Sequence, residues 1–199
     1  MRRQRFAGRI AGAGTSSGTR VVVGHWHDTP MGAFSDAMVE TASGHRVLLA
    51  PREEVADFIA ATYSFDEVRV EDFTVTSDPS LWQVRSPSLH LDLVVGAPTG
   101  LGRLLSVVPR GLSTAPAWCA LTDPVARVVL RGVRTRGSAG GGRREYYGAT
   151  GVRRVLAARG AWEGADLGTL APVDPPPRFG FSSTPRRPSV TDVVTTVLG

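Results

Sequence analysis

The sequence of 199 residues contains no lysine, and all 23 of its basic residues are arginine. Because a Schiff base with a carbonyl compound needs a side-chain amine, this absence excludes lysine-dependent carbonyl chemistry. A genome rich in G and C accounts for such an arginine bias without any functional cause. The formal net charge of +5 is modest for this length, so it gives only weak support for anionic partners.

Cysteine and long apolar segments are also scarce. Cys119 is the single cysteine, so the chain forms no internal disulfide and no zinc site built from several thiolates. No segment approaches the roughly 20 consecutive apolar residues of a membrane-spanning helix. The basic start of the chain lacks the apolar stretch of an export signal. We therefore expect a cytoplasmic protein without a membrane partner.

Glycine, serine and arginine dominate residues 1–18, which show neither the period of a strand nor that of a helix. We predict a flexible basic arm over residues 1–18 and a single domain over residues 19–199. Within the arm, residues 12–18 superficially resemble a phosphate-binding loop, but such loops follow an apolar strand and open a helix. A linker is the better interpretation.

Alternation of apolar residues predicts a strand over residues 20–27, a hairpin over residues 37–49 and a meander over residues 68–93. Pro51, an acidic first turn and apolar residues at helical spacing predict a helix through Tyr63. Shorter helices are predicted at residues 101–108 and after Asp123. This content favours a mainly antiparallel α+β domain built as a closed or cone-shaped β-barrel with two or three short helices.

His25 and His27 share one face of the first predicted strand, with Asp28 and His45 as conceivable further ligands. Two histidines one residue apart are a weak signal for a metal, and partly exposed histidines are common on strands. Cys119 has no histidine partner implied by spacing and is expected to be a small buried residue. We therefore predict neither a metal nor a cofactor.

Arginine is densest in a glycine-rich segment, residues 134–147. The candidate ligand contacts there are Arg134, Arg136, Arg143, Arg144 and Tyr146. Guanidinium groups bind carboxylate or phosphate through paired hydrogen bonds, glycines expose backbone N–H groups, and tyrosines stack on bases. A solvated loop, a small-anion site and a nucleic-acid or acidic-partner surface all remain open, with nucleic acid the weakest of the three.

Three segments carry motifs of a known family. In residues 27–36 a strand ends, a glycine turn follows, and an aromatic-x-carboxylate triplet comes next, here Phe34-Ser35-Asp36. Residues 55–67 form a helix and the element after it, and residues 161–176 form a late hairpin with a proline-rich connection. In these features the chain resembles the acetoacetate decarboxylases. The resemblance implies their barrel fold and puts Glu67 where the family carries its Schiff-base lysine.

The resemblance and the missing lysine together predict binding of a small organic acid or carbonyl compound in a decarboxylase-like barrel, without Schiff-base chemistry. Asp36 and Glu67 are the candidate pocket residues. Alternatively they form an acid–base catalytic pair, because two carboxyl groups in an apolar pocket cannot both ionise freely. A further alternative is nucleic-acid or acidic-partner binding through residues 134–147. Binding and catalysis both stay open, and a homo-oligomer is compatible with either.

Overall fold

In the computed structural model, residues 3–113, 115, 118, 136–138, 144–180 and 184–198 are described. They form thirteen strands of one sheet and three helices. The strands are β1 (Arg3–Thr15), β2 (Arg20–Asp28), β3 (Phe34–Glu40), β4 (Arg46–Ala50), β5 (Glu67–Val70), β6 (Thr74–Ser77), β7 (Leu81–Arg85), β8 (Leu89–Pro98), β9 (Arg136–Ser138), β10 (Arg144–Trp162), β11 (Ala165–Asp166), β12 (Leu170–Ala171) and β13 (Ser189–Leu198). The helices are α1 (Glu53–Ala60), α2 (Gly100–Ser106) and α3 (Arg110–Ser113).

The strands follow the order β5-β4-β3-β2-β1-β13-β10-β8-β7-β6, with the short β9, β11 and β12 paired beside this path. Every pair is antiparallel except β4 and β5, which run parallel and are connected through α1. The predicted mainly antiparallel α+β class is therefore confirmed.

The sheet curls so that its two halves face each other. Arg9 on β1 donates a hydrogen bond of 3.0 Å to Ser77 on β6, and its guanidinium lies 5.5 Å from the ring centroid of Trp82 on β7. These two contacts join strands that lie far apart in the sheet order. Because β5 and β6 end that order, the curled sheet is held by side-chain packing in addition to its ladder of hydrogen bonds.

Each of the first four strands has two buried faces. The inner face, which includes Val23, Ala37 and Leu49, packs against β7, β8 and β10 in the main core. The outer face carries Phe34 and Leu48 and packs against α1. A sheet buried on both faces needs few polar positions, which explains why β3 reads as an almost continuous buried segment.

The predicted arm over residues 1–18 is wrong, because residues 3–15 form β1 in the middle of the sheet. This strand pairs with β13 on one side and β2 on the other. A Cβ atom at Gly8 would collide with Trp26, and one at Gly14 would collide with the Pro172 backbone. Glycine is thus required where neighbouring groups cross the strand closely, and these glycines remove the apolar alternation that would have revealed it.

The residues read as a linker are also ordered. Residues 12–15 belong to β1, and the turn after them leads into β2 with Gly18 at a φ of +84°. A positive φ of this size favours glycine over other residues. The motif is therefore a hairpin turn, and its glycines serve strand packing and turn geometry.

Other predicted elements appear at the expected places. The strand at residues 20–27, the hairpin at 37–49 and the helix after Pro51 correspond to β2, β3–β4 and α1. Helix α1 has Glu53 and Glu54 in its first turn and buries Val55, Ala56 and Ile59. The helix predicted after Asp123 and Cys119 lie outside the described residues. No helix in the described part of the chain is long and apolar enough to span a membrane.

The placement of β1 generates a test. Ala11 is 1% exposed in the main core, so Ala11→Arg should prevent folding, since a buried unpaired charge costs several kcal/mol. Arg5 is exposed on the same strand, so Arg5→Ala should shift the melting temperature by at most about 3 °C. Circular dichroism melts of both variants check this. Equal stability of the two variants would contradict the placement of β1 in the sheet and support a flexible arm over residues 1–18.

Candidate functional site

A cavity of about 80 Å³ lies between α1 and the outer face of the sheet. Its walls come from β1, β2, β3, β10 and β13 together with α1 and the residues that follow it. Most of the lining side chains are apolar or aromatic. A space of this size holds a few waters or an organic molecule of about four to six non-hydrogen atoms.

Asp36 supplies a carboxyl group to this cavity. The residue is paired with Gly24 across β2 and β3, and Trp26 Nε1 donates a hydrogen bond of 2.9 Å to Asp36 Oδ1. A Cβ atom at Gly24 would collide with both Asp36 Oδ1 and Trp26 Nε1. The missing side chain at Gly24 therefore makes the room in which the indole reaches the carboxyl group.

Burial makes Asp36 an unusual acid. The residue is 2% exposed, and removal of its carboxyl from water raises the pKa from 3.8 to about 7, although the hydrogen bond from Trp26 opposes this rise. Near neutral pH the group therefore exists in both its protonated and its ionised form. A side chain of this kind can donate a hydrogen bond, accept one, or transfer a proton.

Two polar atoms on the cavity wall have no partner among the described residues. The first is Asp36 Oδ2, since the carboxyl receives its hydrogen bond at Oδ1. The second is the hydroxyl of Thr195, a residue of β13 that is 5% exposed. Buried polar groups in folded proteins almost always have a partner. The Thr195 hydroxyl therefore marks the cavity as a place for a polar molecule, and Asp36 Oδ2 is a second polar atom that such a molecule could contact.

A second polar cluster lines the cavity at the start of β10. The hydroxyls of Tyr63 and Tyr147 lie 3.0 Å and 2.9 Å from Glu145 Oε2 and within hydrogen-bond distance of each other, so the three oxygens share the two phenolic protons. Burial and the nearby Glu145 carboxylate raise the pKa of Tyr63 well above its usual value. Burial does the same for Tyr147. Both phenols therefore stay protonated and hold the Glu145 carboxyl in place.

The structure does not bring Asp36 and Glu67 together. Glu67 on β5 pairs with Val47 and so shares the side of the sheet that carries Val47, whereas Asp36 lies on the side that lines the cavity. The Glu67 side chain is 39% exposed, forms an ion pair with Arg69 and shares a hydrogen bond with His45. Hydrogen bonds from Arg69 and His45 lower its pKa to about 2, the opposite of the rise expected for a catalytic pair.

The predicted arginine cluster contributes no described side chain to the cavity. Arg144 is exposed and precedes Glu145, so it points to the other side of β10. Tyr146 is 9% exposed and lies between Glu145 and Tyr147, which line the cavity. Because side chains alternate along a strand, Tyr146 faces the other side of β10. Only the backbone of Arg136 is described, within β9, while Arg134 and Arg143 lie outside the described residues.

Two of the candidate metal-ligating histidines have other partners. His25 shares a hydrogen bond of 2.8 Å with the Ser35 hydroxyl, and burial with the nearby Arg9 charge lowers its pKa. His45, in the turn between β3 and β4, pairs with Glu67 at the start of β5. Across the described ranges, no group of three His, Cys, Asp or Glu side chains is close enough to hold a metal ion.

Comparison with known proteins adds a structural likeness. No protein-family model matches the sequence, and no curated protein sequence matches it. The fold is similar to the crystal structure of acetoacetate decarboxylase from Legionella pneumophila, with a TM-score of 0.44 and 7% identity over 98% of this chain and 84% of that one. This is the family whose motifs the sequence resembles. By its own topology, the chain is an α+β protein built on one curled, mainly antiparallel sheet.

The buried carboxyl predicts how stability depends on pH. Folded Asp36 keeps its proton between pH 3.8 and about 7, where the unfolded chain has lost it, so the free energy of unfolding should fall as pH rises through this window. The full shift corresponds to at most roughly 4 kcal/mol. Asp36→Asn has no such proton and should lose this contribution. Urea unfolding of both proteins at pH 5 and pH 8 measures the difference, and equal pH dependence would show that Asp36 is not a raised-pKa group.

Proposed function

We propose that the chain binds a small carbonyl compound, or a small organic acid in its uncharged form, in the cavity beneath α1. The observation that supports this is Asp36 Oδ2, which has no hydrogen-bond partner among the described residues, in a space lined mostly by apolar and aromatic side chains. When the carboxyl is protonated, Oδ2 donates a hydrogen bond to the carbonyl oxygen of the ligand. The alkyl part of the ligand then replaces water along the apolar walls.

The charge of the cavity favours the uncharged form of an acid over its anion. Asp36 and Glu145 both line the space, and none of the described lining residues is basic. An organic anion would lose its hydration and meet the buried Asp36 carboxyl in a site of low dielectric constant, which is unfavourable. This differs from the anion contact first assigned to the arginine cluster.

Binding would be non-covalent. The sequence has no lysine, so no side-chain amine is present to condense with the carbonyl group and withdraw electrons from it. The role of the ligand contact therefore falls to hydrogen bonding and to burial of apolar surface. Affinity is limited by ligand size, because about 1.5 kcal/mol per non-hydrogen atom is a ceiling for the smallest ligands.

The alternatives have weaker support. An acid–base pair of Asp36 and Glu67 would need both groups in one pocket, and Glu67 lies on the other side of the sheet, bonded to His45 and Arg69. For nucleic-acid binding, Tyr146 and Tyr147 would have to stack on bases, but Tyr146 is buried and Tyr147 bonds to Tyr63 and Glu145 inside the cavity.

Acetone is a suitable first ligand, because its four non-hydrogen atoms fit the cavity. Binding should weaken about thirty-fold between pH 6 and pH 8.5, since with a pKa near 7 only the protonated fraction of Asp36 binds. Asp36→Asn presents a neutral donor at the same position and should bind acetone equally at both pH values. Titration followed by the indole N–H signal of Trp26 in ¹H–¹⁵N spectra measures each Kd.

Glu67→Gln is the matched control, because it removes an exposed carboxyl outside the cavity and should leave acetone binding unchanged. Borohydride treatment with acetone present should attach nothing to any side chain. The proposal would be contradicted if the unmodified chain bound acetone with the same Kd at both pH values, or did not bind it at pH 6.

A further inference from the structure

The same cavity combines two carboxyl groups with a wall of aromatic rings. Asp36 and Glu145 line it, and the rings of Phe6, Trp26 and Phe34 follow one another with centroids 6.3 Å apart at each step. Phe58 stacks on Phe6 with centroids 4.9 Å apart. Carboxylates and the electron-rich faces of aromatic rings are the two features that proteins use to bind organic cations.

We propose that the cavity also binds small organic ammonium ions, with the ammonium group on Asp36 and the alkyl group against the aromatic wall. This ligand class has the opposite hydrogen-bonding character to a carbonyl compound, so the proposal goes beyond the function proposed above. It shares the cavity with that function but does not require it.

Asp36 suits an ammonium ion better than Glu145 does. Trp26 stabilises negative charge at Oδ1 through its hydrogen bond, while Oδ2 has no partner among the described residues and is available to an N–H donor. At Glu145, Oε2 already accepts hydrogen bonds from the Tyr63 and Tyr147 hydroxyls. The direct contact with the ammonium group is therefore assigned to Asp36.

The charged and titratable groups around Asp36 are consistent with this assignment. Tyr63, after α1, and Tyr147, on β10, have pKa values raised well above their usual value and stay neutral. Glu145 is the other carboxyl group of the cavity. At the start of α1, the Arg52 guanidinium lies 6.0 Å from the Phe34 ring centroid, and it is paired with Glu54 and bonded to the Met31 carbonyl oxygen.

The protonation state of Asp36 should then select between the two ligand classes. The protonated acid donates to a carbonyl oxygen, whereas the carboxylate accepts from an ammonium group and attracts its charge. Because burial places the Asp36 pKa near 7, both forms are populated around neutral pH. Ammonium binding should strengthen with rising pH while carbonyl binding weakens.

Isopropylammonium chloride and acetone test this, because the two ligands have the same number of non-hydrogen atoms and nearly the same shape. Alkyl amines, like the lysine side chain with a pKa of about 10.4, remain charged at pH 8.5. Isopropylammonium should bind about tenfold more tightly at pH 8.5 than at pH 6, following the ionised fraction of Asp36. The Trp26 indole N–H signal reports binding of both ligands.

Variants separate this inference from the proposed function. Asp36→Asn should lose isopropylammonium binding, because its amide carries no negative charge, while Glu67→Gln should leave binding of both ligands unchanged. Propan-2-ol, which is neutral and of similar size, should show little pH dependence. The comparison of ammonium binding at two pH values uses the unmodified chain. That comparison therefore tests the proposal even if a variant fails to fold.

Three results would overturn the ammonium proposal: no saturable shift of the Trp26 signal with isopropylammonium, binding that does not strengthen with pH, or equal binding by folded Asp36→Asn. Each leaves carbonyl binding to be judged by acetone alone. If the unmodified chain bound isopropylammonium but not acetone, the proposed function would be contradicted and the ammonium proposal would be supported.

Discussion

The hydrogen bond between Trp26 and Asp36 depends on a glycine and on a helix. Gly24 leaves the space that the indole and the carboxyl group share, and α1 covers the outer face with Val55, Ala56 and Ile59. Without the helix the carboxyl would be hydrated and would behave as an ordinary acid. The chemistry of the cavity therefore follows from how the β4–α1–β5 segment lies on the sheet.

The other polar residues of the cavity lie far from Asp36 in the sequence. Tyr63 follows α1, whereas its partner Glu145 is 82 residues later, and Thr195 lies next to Tyr147 because β10 and β13 are paired. Strand β13 also pairs with β1, so the last and first strands of the chain share a wall. The cavity wall therefore needs strands from both ends of the chain in place, and no single hairpin can form it.

The sequence revealed elements whose pattern is local. Helix α1 and strands β2 to β4 have clear apolar spacing, and the fold class follows from it, whereas Asp36 came from the family resemblance. Strand β1 was missed because Gly8, Gly12 and Gly14 interrupt its alternation. Glu67 was misplaced because a motif match does not fix which side of a strand a residue faces, and a shift of one residue reverses it. Glu145 and Thr195 depend on strand pairing across the chain, which no local pattern contains.

The Asp36 carboxyl is the titratable group on which the chemistry of the cavity depends. In the binding proposed above, the direction of its hydrogen bond to a ligand depends on a proton. Burial raises the Asp36 pKa and the Trp26 hydrogen bond lowers it, and each pKa unit corresponds to about 1.4 kcal/mol. These two effects act on the same carboxyl, so a modest change in either moves its titration across neutral pH. The position of Trp26 therefore determines which form of the acid a ligand meets.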